Sequence, residues 1–131
     1  MTAITYSPLK SQKPNTAIAY LPLKSQEPNL DKKKFYLKEL ANQKNLEKLE
    51  FVEEVISKNL AWEQKKICHV LRELQSGDYL LVTKFSDLGW TYSEAFKVLL
   101  IASVREINIL TVKGISGQKI VKFIFSLGNL Y

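Results

Sequence analysis

The sequence predicts an α/β fold, three layers deep, with a mainly parallel sheet of four to five strands. Three observations carry this. Strand-like and helix-like segments alternate along the 131 residues. Tyr79-Leu80-Leu81-Val82 is a continuous apolar run, the pattern of a strand buried on both faces of a parallel sheet. The helical segments between strands carry apolar stripes at helical spacing, so each has one face to lay on a sheet.

The elements follow in order. Thr2–Asn15 recurs as Thr16–Asn29 with 11 of 14 positions identical, and each copy reads as a short strand breaking into a proline-containing turn. Two short copies do not make a solenoid. The second copy is expected to take the strand, at 17–21. It leads directly into the next helix, and it offers Leu21 to the core where the first copy has Ser7. Residues 1–15 are then a mobile duplicated extension to a domain spanning 16–131.

A helix is expected from Leu30, Lys34, Leu37, Leu40 and Ala41, with Asn29 or Asp31 as N-cap. Leu49-Glu50-Phe51-Val52 is the second strand. Ile67, Val70, Leu71 and Leu74 form the next helical stripe, stopped at Ser76-Gly77. After the strand at 79–84, Thr91-Tyr-Ser-Glu94 has the spacing of a capping box and opens a helix carrying Phe96, Leu99, Leu100 and Ser103. Ile107–Val112 is the fourth strand. A last amphipathic helix is expected over 118–130, with Ile120, Val121, Ile124, Phe125 and Leu127 on its apolar side.

The composition narrows the function classes. The longest uncharged apolar run, Val98–Val104, is too short to cross a bilayer, and Met1–Pro14 has no unbroken apolar stretch of a secretory signal. Cys68 is the only cysteine, which excludes an internal disulfide and a cysteine-rich zinc site. A cytoplasmic protein without membrane, metal or cofactor is the expectation. The net charge is +6, of which residues 1–34 hold +4: six lysines against Glu27 and Asp31. A basic end suits a polyanion. Arg72 and Arg105 are the only arginines, so the bidentate guanidinium grip on phosphate is scarce. Lys24, Lys32, Lys33 and Lys34 form the candidate anion patch, set against the plainer reading of a solvated helix start.

Leu71-Arg-Glu-Leu-Gln-Ser-Gly-Asp-Tyr-Leu-Leu-Val-Thr-Lys-Phe-Ser-Asp-Leu-Gly89 resembles the central signature of the catalytic domain of resolvase/invertase-type serine recombinases. There a helix ending Leu-x-x-Gly-Asp leads into a buried strand and a loop reading Lys-Leu-Asp-Arg-Leu-Gly-Arg-Ser. Ala17–Asp31 is similar to the family's opening strand and loop, Leu49–Val55 to its second strand, and Ile120–Phe125 to the start of the long helix through which members pair. The resemblance covers residues 16–130.

It implies a resolvase-like fold and an activity in which a serine attacks a DNA phosphate while arginines neutralise the phosphoryl oxygens. The departures fall on that chemistry. Lys24 stands at the nucleophile and Pro22 at the first arginine. Ser86 and Asp87 replace the Asp-Arg pair, Trp90 replaces the last arginine, and Gln64 stands near a further one. No catalytic residue is therefore expected. A carboxylate at Asp87 replaces attraction for phosphate by repulsion, and Ser25, one step from Lys24, points the other way on an extended strand. The chain stops at Tyr131, early in the pairing helix, so the family's DNA-reading module is not expected.

Outside the resemblance, Cys68 and His69 are neighbours on a helix and make no metal set. Trp62, Trp90 and Tyr92 are candidates for stacking on bases, weighed against packing at a helix start. The leading reading is a resolvase-like, catalytically inactive protein that acts by binding in DNA recombination or mobile-element biology. Its partners would be itself, an active recombinase, or DNA held weakly and without sequence preference. The alternatives are an active site-specific serine recombinase and a decayed remnant with no present role.

Overall fold

A computed structural model describes residues 15–24, 26–57 and 59–112. Its strands are β1 (Thr16–Leu23), β2 (Lys48–Val55), β3 (Tyr79–Val82) and β4 (Asn108–Thr111). Its helices are α1 (Leu30–Gln43), α2 (Lys66–Glu73) and α3 (Tyr92–Arg105), with 3-10 turns at Trp62–Gln64 and Phe85–Leu88. All strand pairings are parallel and the order is β2-β1-β3-β4. The expected α/β class, parallel sheet and strand positions are all observed. The last helix and the first repeat copy lie outside the described residues.

Strand order dictates the layers. β2 lies on one side of β1 and β3 on the other, so right-handed crossovers place their helices on opposite faces. Along β1, Ala17, Ala19 and Leu21 pack with Leu37 and Ala41 of α1. Ile18 and Tyr20 point the other way, into a larger cluster with Val70 and Leu71 of α2 and Val98 and Ala102 of α3. The second repeat copy thus supplies β1, and Leu21 is fully buried where the first copy has serine.

Local chemistry fixes the joints. Gly77 holds a φ of +92°, favoured by glycine, so the chain can turn from α2 into β3. The next residue, Asp78, is buried and accepts hydrogen bonds from the backbone N–H of Thr16 (2.9 Å) and of Gln75 (2.8 Å), which ties the start of β1 to the head of β3.

Thr91 caps α3 as expected, accepting from the Glu94 N–H at 3.1 Å. The return half of the capping box is displaced by one residue: the Glu94 carboxylate accepts from the N–H of Trp90. Asn29 takes the N-cap position of α1 with no side-chain capping bond. At the far end of α3, Glu106 in the left-handed region closes a Schellman turn, with its N–H on Ser103 O and that of Ile107 on Ala102 O. Arg105 turns its guanidinium onto the carbonyls of Leu71, Arg72 and Leu74, satisfying the end of α2.

Candidate functional site

In an open parallel sheet, a crevice forms beyond the carboxyl ends of neighbouring strands whose connections depart to opposite sides. Here those strands are β1 and β3. A cleft of about 600 Å³ opens there. The end of β1 contributes Tyr20, Pro22 and Lys24, and the loop after β3 contributes Lys84, Ser86, Asp87, Gly89 and Trp90. The α1 approach adds Glu27 and Lys33, while Trp62, Lys65 and Glu94 close the third side.

All five residues at the positions that the resemblance assigns to catalysis, Pro22, Lys24, Ser86, Asp87 and Trp90, line this one cleft. Gln64 does not; its side chain reaches back to the N–H of Ala61 within the 3-10 turn. The next residue, Lys65, takes the place on the wall. The lysine patch is split by the turn of α1. Lys33 faces the cleft, and Lys32 lines a smaller hollow beside it. Lys34 points toward β2 and pairs with Glu53 at 2.6 Å. Ser25 is outside the described residues.

The electrostatics of the cleft are largely internal. Lys33 binds Glu27 at 2.7 Å, and that bond, with the Lys24 N–H, holds the Glu27 carboxyl below its ordinary range. Lys65 is buried, binds Glu94 at 2.9 Å and lies 4.7 Å from the centre of the Trp90 ring. Burial pushes the Glu94 carboxyl up, but the Lys65 hydrogen bond, the Trp90 N–H and the charges of Lys65 and Lys97 outweigh it and hold it down. Asp87 accepts a hydrogen bond from the hydroxyl of Thr83. Among the described residues, Lys24 and Lys84 are the cleft lysines without an ion pair. Both arginines are elsewhere: α2 and α3 run back against the strands, so Arg72 and Arg105 lie at the opposite end of the sheet.

Three features escaped sequence reasoning. The floor of the cleft holds a buried bond from the Tyr20 hydroxyl to Glu54 (2.7 Å), whose other oxygen accepts from the Lys66 N–H (2.9 Å). Lys65 was the second, although a lysine between Trp62 and Ile67 is a signal that it must find a partner if buried. The third is the engagement of the aromatics. Lys65 covers one face of Trp90, and Lys97 lies 5.4 Å from the Trp62 ring. Of the three stacking candidates, Tyr92 is the most exposed. The Cys68 thiol donates to the Trp62 carbonyl, and burial raises its pKa to about 11. Among the described residues no cluster of His, Cys, Asp and Glu could hold a metal.

Burial, then the Glu54 carboxylate, push the Tyr20 phenol far above the usual tyrosine range. A raised acid pKa stabilises the fold below the unfolded value of about 10, and that contribution is lost as pH rises beyond it. In an ultraviolet titration the Tyr20 phenolate is expected only with alkaline unfolding. Tyr20→Phe should flatten the fall in stability above about pH 10. Titration of Tyr20 in the folded protein together with free phenols would contradict this.

No protein-family model and no curated protein matches this sequence. Among solved structures, the fold is similar to the C-terminal catalytic domain of ISC1926 TnpA, an IS607-like serine recombinase. The TM-score is 0.59 at 21% identity, over 88% of this chain and 85% of that one. None of the described helices is long and apolar enough to cross a membrane.

Proposed function

We propose that this chain, built on a fold shared with a serine recombinase catalytic domain, is a non-cutting domain that acts in DNA recombination by binding. Its contacts would be with another copy, with an active recombinase, or weakly with the DNA backbone, and residues 1–15 are a duplicated extension to it. One observation carries this reading: the cleft where β1 and β3 diverge gathers the positions that matter, and they hold Pro22, Lys24, Ser86, Asp87 and Trp90. A strand-cutting site needs a nucleophile and fixed cations around the phosphoryl oxygens. Here Asp87 places a carboxylate among them, and two of the lysines are engaged by Glu27 and Glu94. Losing a single oxyanion-type donor costs about 10²–10³ in rate, so the combined losses put cutting out of reach.

Incubation with supercoiled plasmid, stopped with denaturant, should give neither nicked circles nor a covalent protein–DNA adduct. Lys24→Ser alone should not restore either, since the arginines remain absent. Binding should be sequence-independent and fall steeply with salt. Nicking by the wild type that disappears in Ser86→Ala would instead establish an active enzyme using the exposed serine of the cleft.

A further inference from the structure

Leu88 is fully buried, and Gly89 lies so close to the first turn of α3 that a Cβ there would meet the Ala95 nitrogen at 2.5 Å. That approach lays the 3-10 turn, which begins at Phe85, against the residues that open α3. Phe85 from the one, and Trp90 and Tyr92 from the other, wall a hollow of about 190 Å³ beside the cleft. The small residues Gly89 and Ala95 lie between them, no charged side chain lines the hollow, and Ser86 adds a hydroxyl. Pockets that enclose a whole small molecule measure about 300–1,000 Å³, so this one suits a single flat ring whose attached atoms stay outside. Its walls are set before anything binds. Phe85 packs on the core cluster, and Trp90 is held by its N–H bond to the Glu94 carboxylate and by Lys65 over its ring. Tyr92 is 88% exposed and Trp90 40%, and among the described residues neither meets another aromatic ring.

We propose that this hollow stacks an unpaired base of single-stranded DNA whose backbone passes through the adjoining cleft. Two observations join the parts. Trp90 and Ser86 line both the hollow and the cleft, so a ring seated in the one has its sugar and phosphate at the mouth of the other. The cleft holds Lys24 and Lys84, which among the described residues can meet a phosphate without first breaking an ion pair. Aromatic faces beside a lysine-lined groove take single strands without regard to sequence, because every base offers a π-face. Asp87 lines the cleft and not the hollow, and its carboxylate is turned to the Thr83 hydroxyl. A duplex hides its base faces in its own stack, and a base must be flipped out before it could enter. The site presupposes a domain that binds DNA without cutting it, and adds which form of DNA it holds.

The test measures binding of the full chain, by fluorescence anisotropy at low salt, to three probes of equal length. They are oligothymidylate, an abasic oligomer with the same sugar-phosphate chain, and a duplex. Oligothymidylate should bind roughly 5- to 100-fold more tightly than the abasic chain, and more tightly than the duplex. Tyr92→Ala should remove most of that margin and leave the abasic affinity unchanged, while Tyr92→Phe keeps it. Tyr92 is exposed, so an unchanged melting temperature separates this loss from a loss of folding. Lys84→Gln should instead weaken both single-stranded probes alike and lower the salt slope by about 0.7. Equal affinity for all three probes, or no effect of Tyr92→Ala, would overturn the stacking site while leaving a domain that holds DNA by its backbone. Failure to bind any probe would overturn it as well. Nicking of plasmid by the wild type would sink the non-cutting reading alone, since the margin between oligothymidylate and the abasic chain is read at equilibrium without cleavage.

Discussion

Gly89→Ala is expected to destabilise the fold by about 3 kcal/mol or more. The backbone of Gly89 is extended, so the demand is for space and not for an unusual φ. A Cβ there would sit 2.5 Å from the backbone nitrogen of Ala95 and 2.7 Å from the Cβ of Glu94. Neither atom is the end of a flexible side chain; both belong to the first turn of α3. Relief requires the helix start to move, and with it the Thr91 cap, the Glu94–Lys65 ion pair and the Trp90 ring beside that lysine. Urea unfolding followed by tryptophan fluorescence measures the loss. A shift below about 1 kcal/mol would mean that the loop yields without the helix.

Asp78→Ala is the second large effect, expected near 3 kcal/mol. The substitution leaves the N–H groups of Thr16 and Gln75 without their acceptor, beside a sheet that excludes water. Hydrogen bonds to a charged acceptor contribute about 1.5–3 kcal/mol each, and an unsatisfied buried donor adds its desolvation cost. Asp78→Asn keeps one carbonyl oxygen and should lose less than alanine. Equal losses in the two variants would show that both oxygens are needed together. The same urea experiment separates these outcomes.

Most of the fold was legible in the sequence because its signals are local. Tyr79–Val82 declares a buried strand through unbroken apolarity, Ser76-Gly77 a stop, and Thr91 with Glu94 a helix start. The four strands fall where these signals place them. The cleft was legible at the positions the family resemblance supplied, since parallel pairing brings the end of β1 beside the loop after β3 whatever their side chains.

What was not legible is long-range. Glu27 and Glu53 look like ordinary surface acids until α1 carries Lys33 and Lys34 to them. Glu54 stands on a strand edge in sequence and under Tyr20 in space. Gln64 and Lys65 differ by one position, but a 3-10 turn advances the chain by about 120° per residue, which moves the wall of the cleft from one to the other. Arg105, counted among the scarce phosphate-gripping side chains, is committed to the carbonyls of α2.

The divergence of β1 and β3 has a consequence for how freely the cleft can vary. The hollow it creates follows from strand order and crossover hand, which selection for folding maintains on its own. The lining has no such protection: Lys24, Ser86 and Trp90 are exposed, and nothing in the packing of the sheet requires their identity. The side chains that line the hollow can therefore change while the hollow itself persists, because its presence follows from the architecture and not from the chemistry of its lining. Such a hollow stays open to new occupants for as long as the sheet folds.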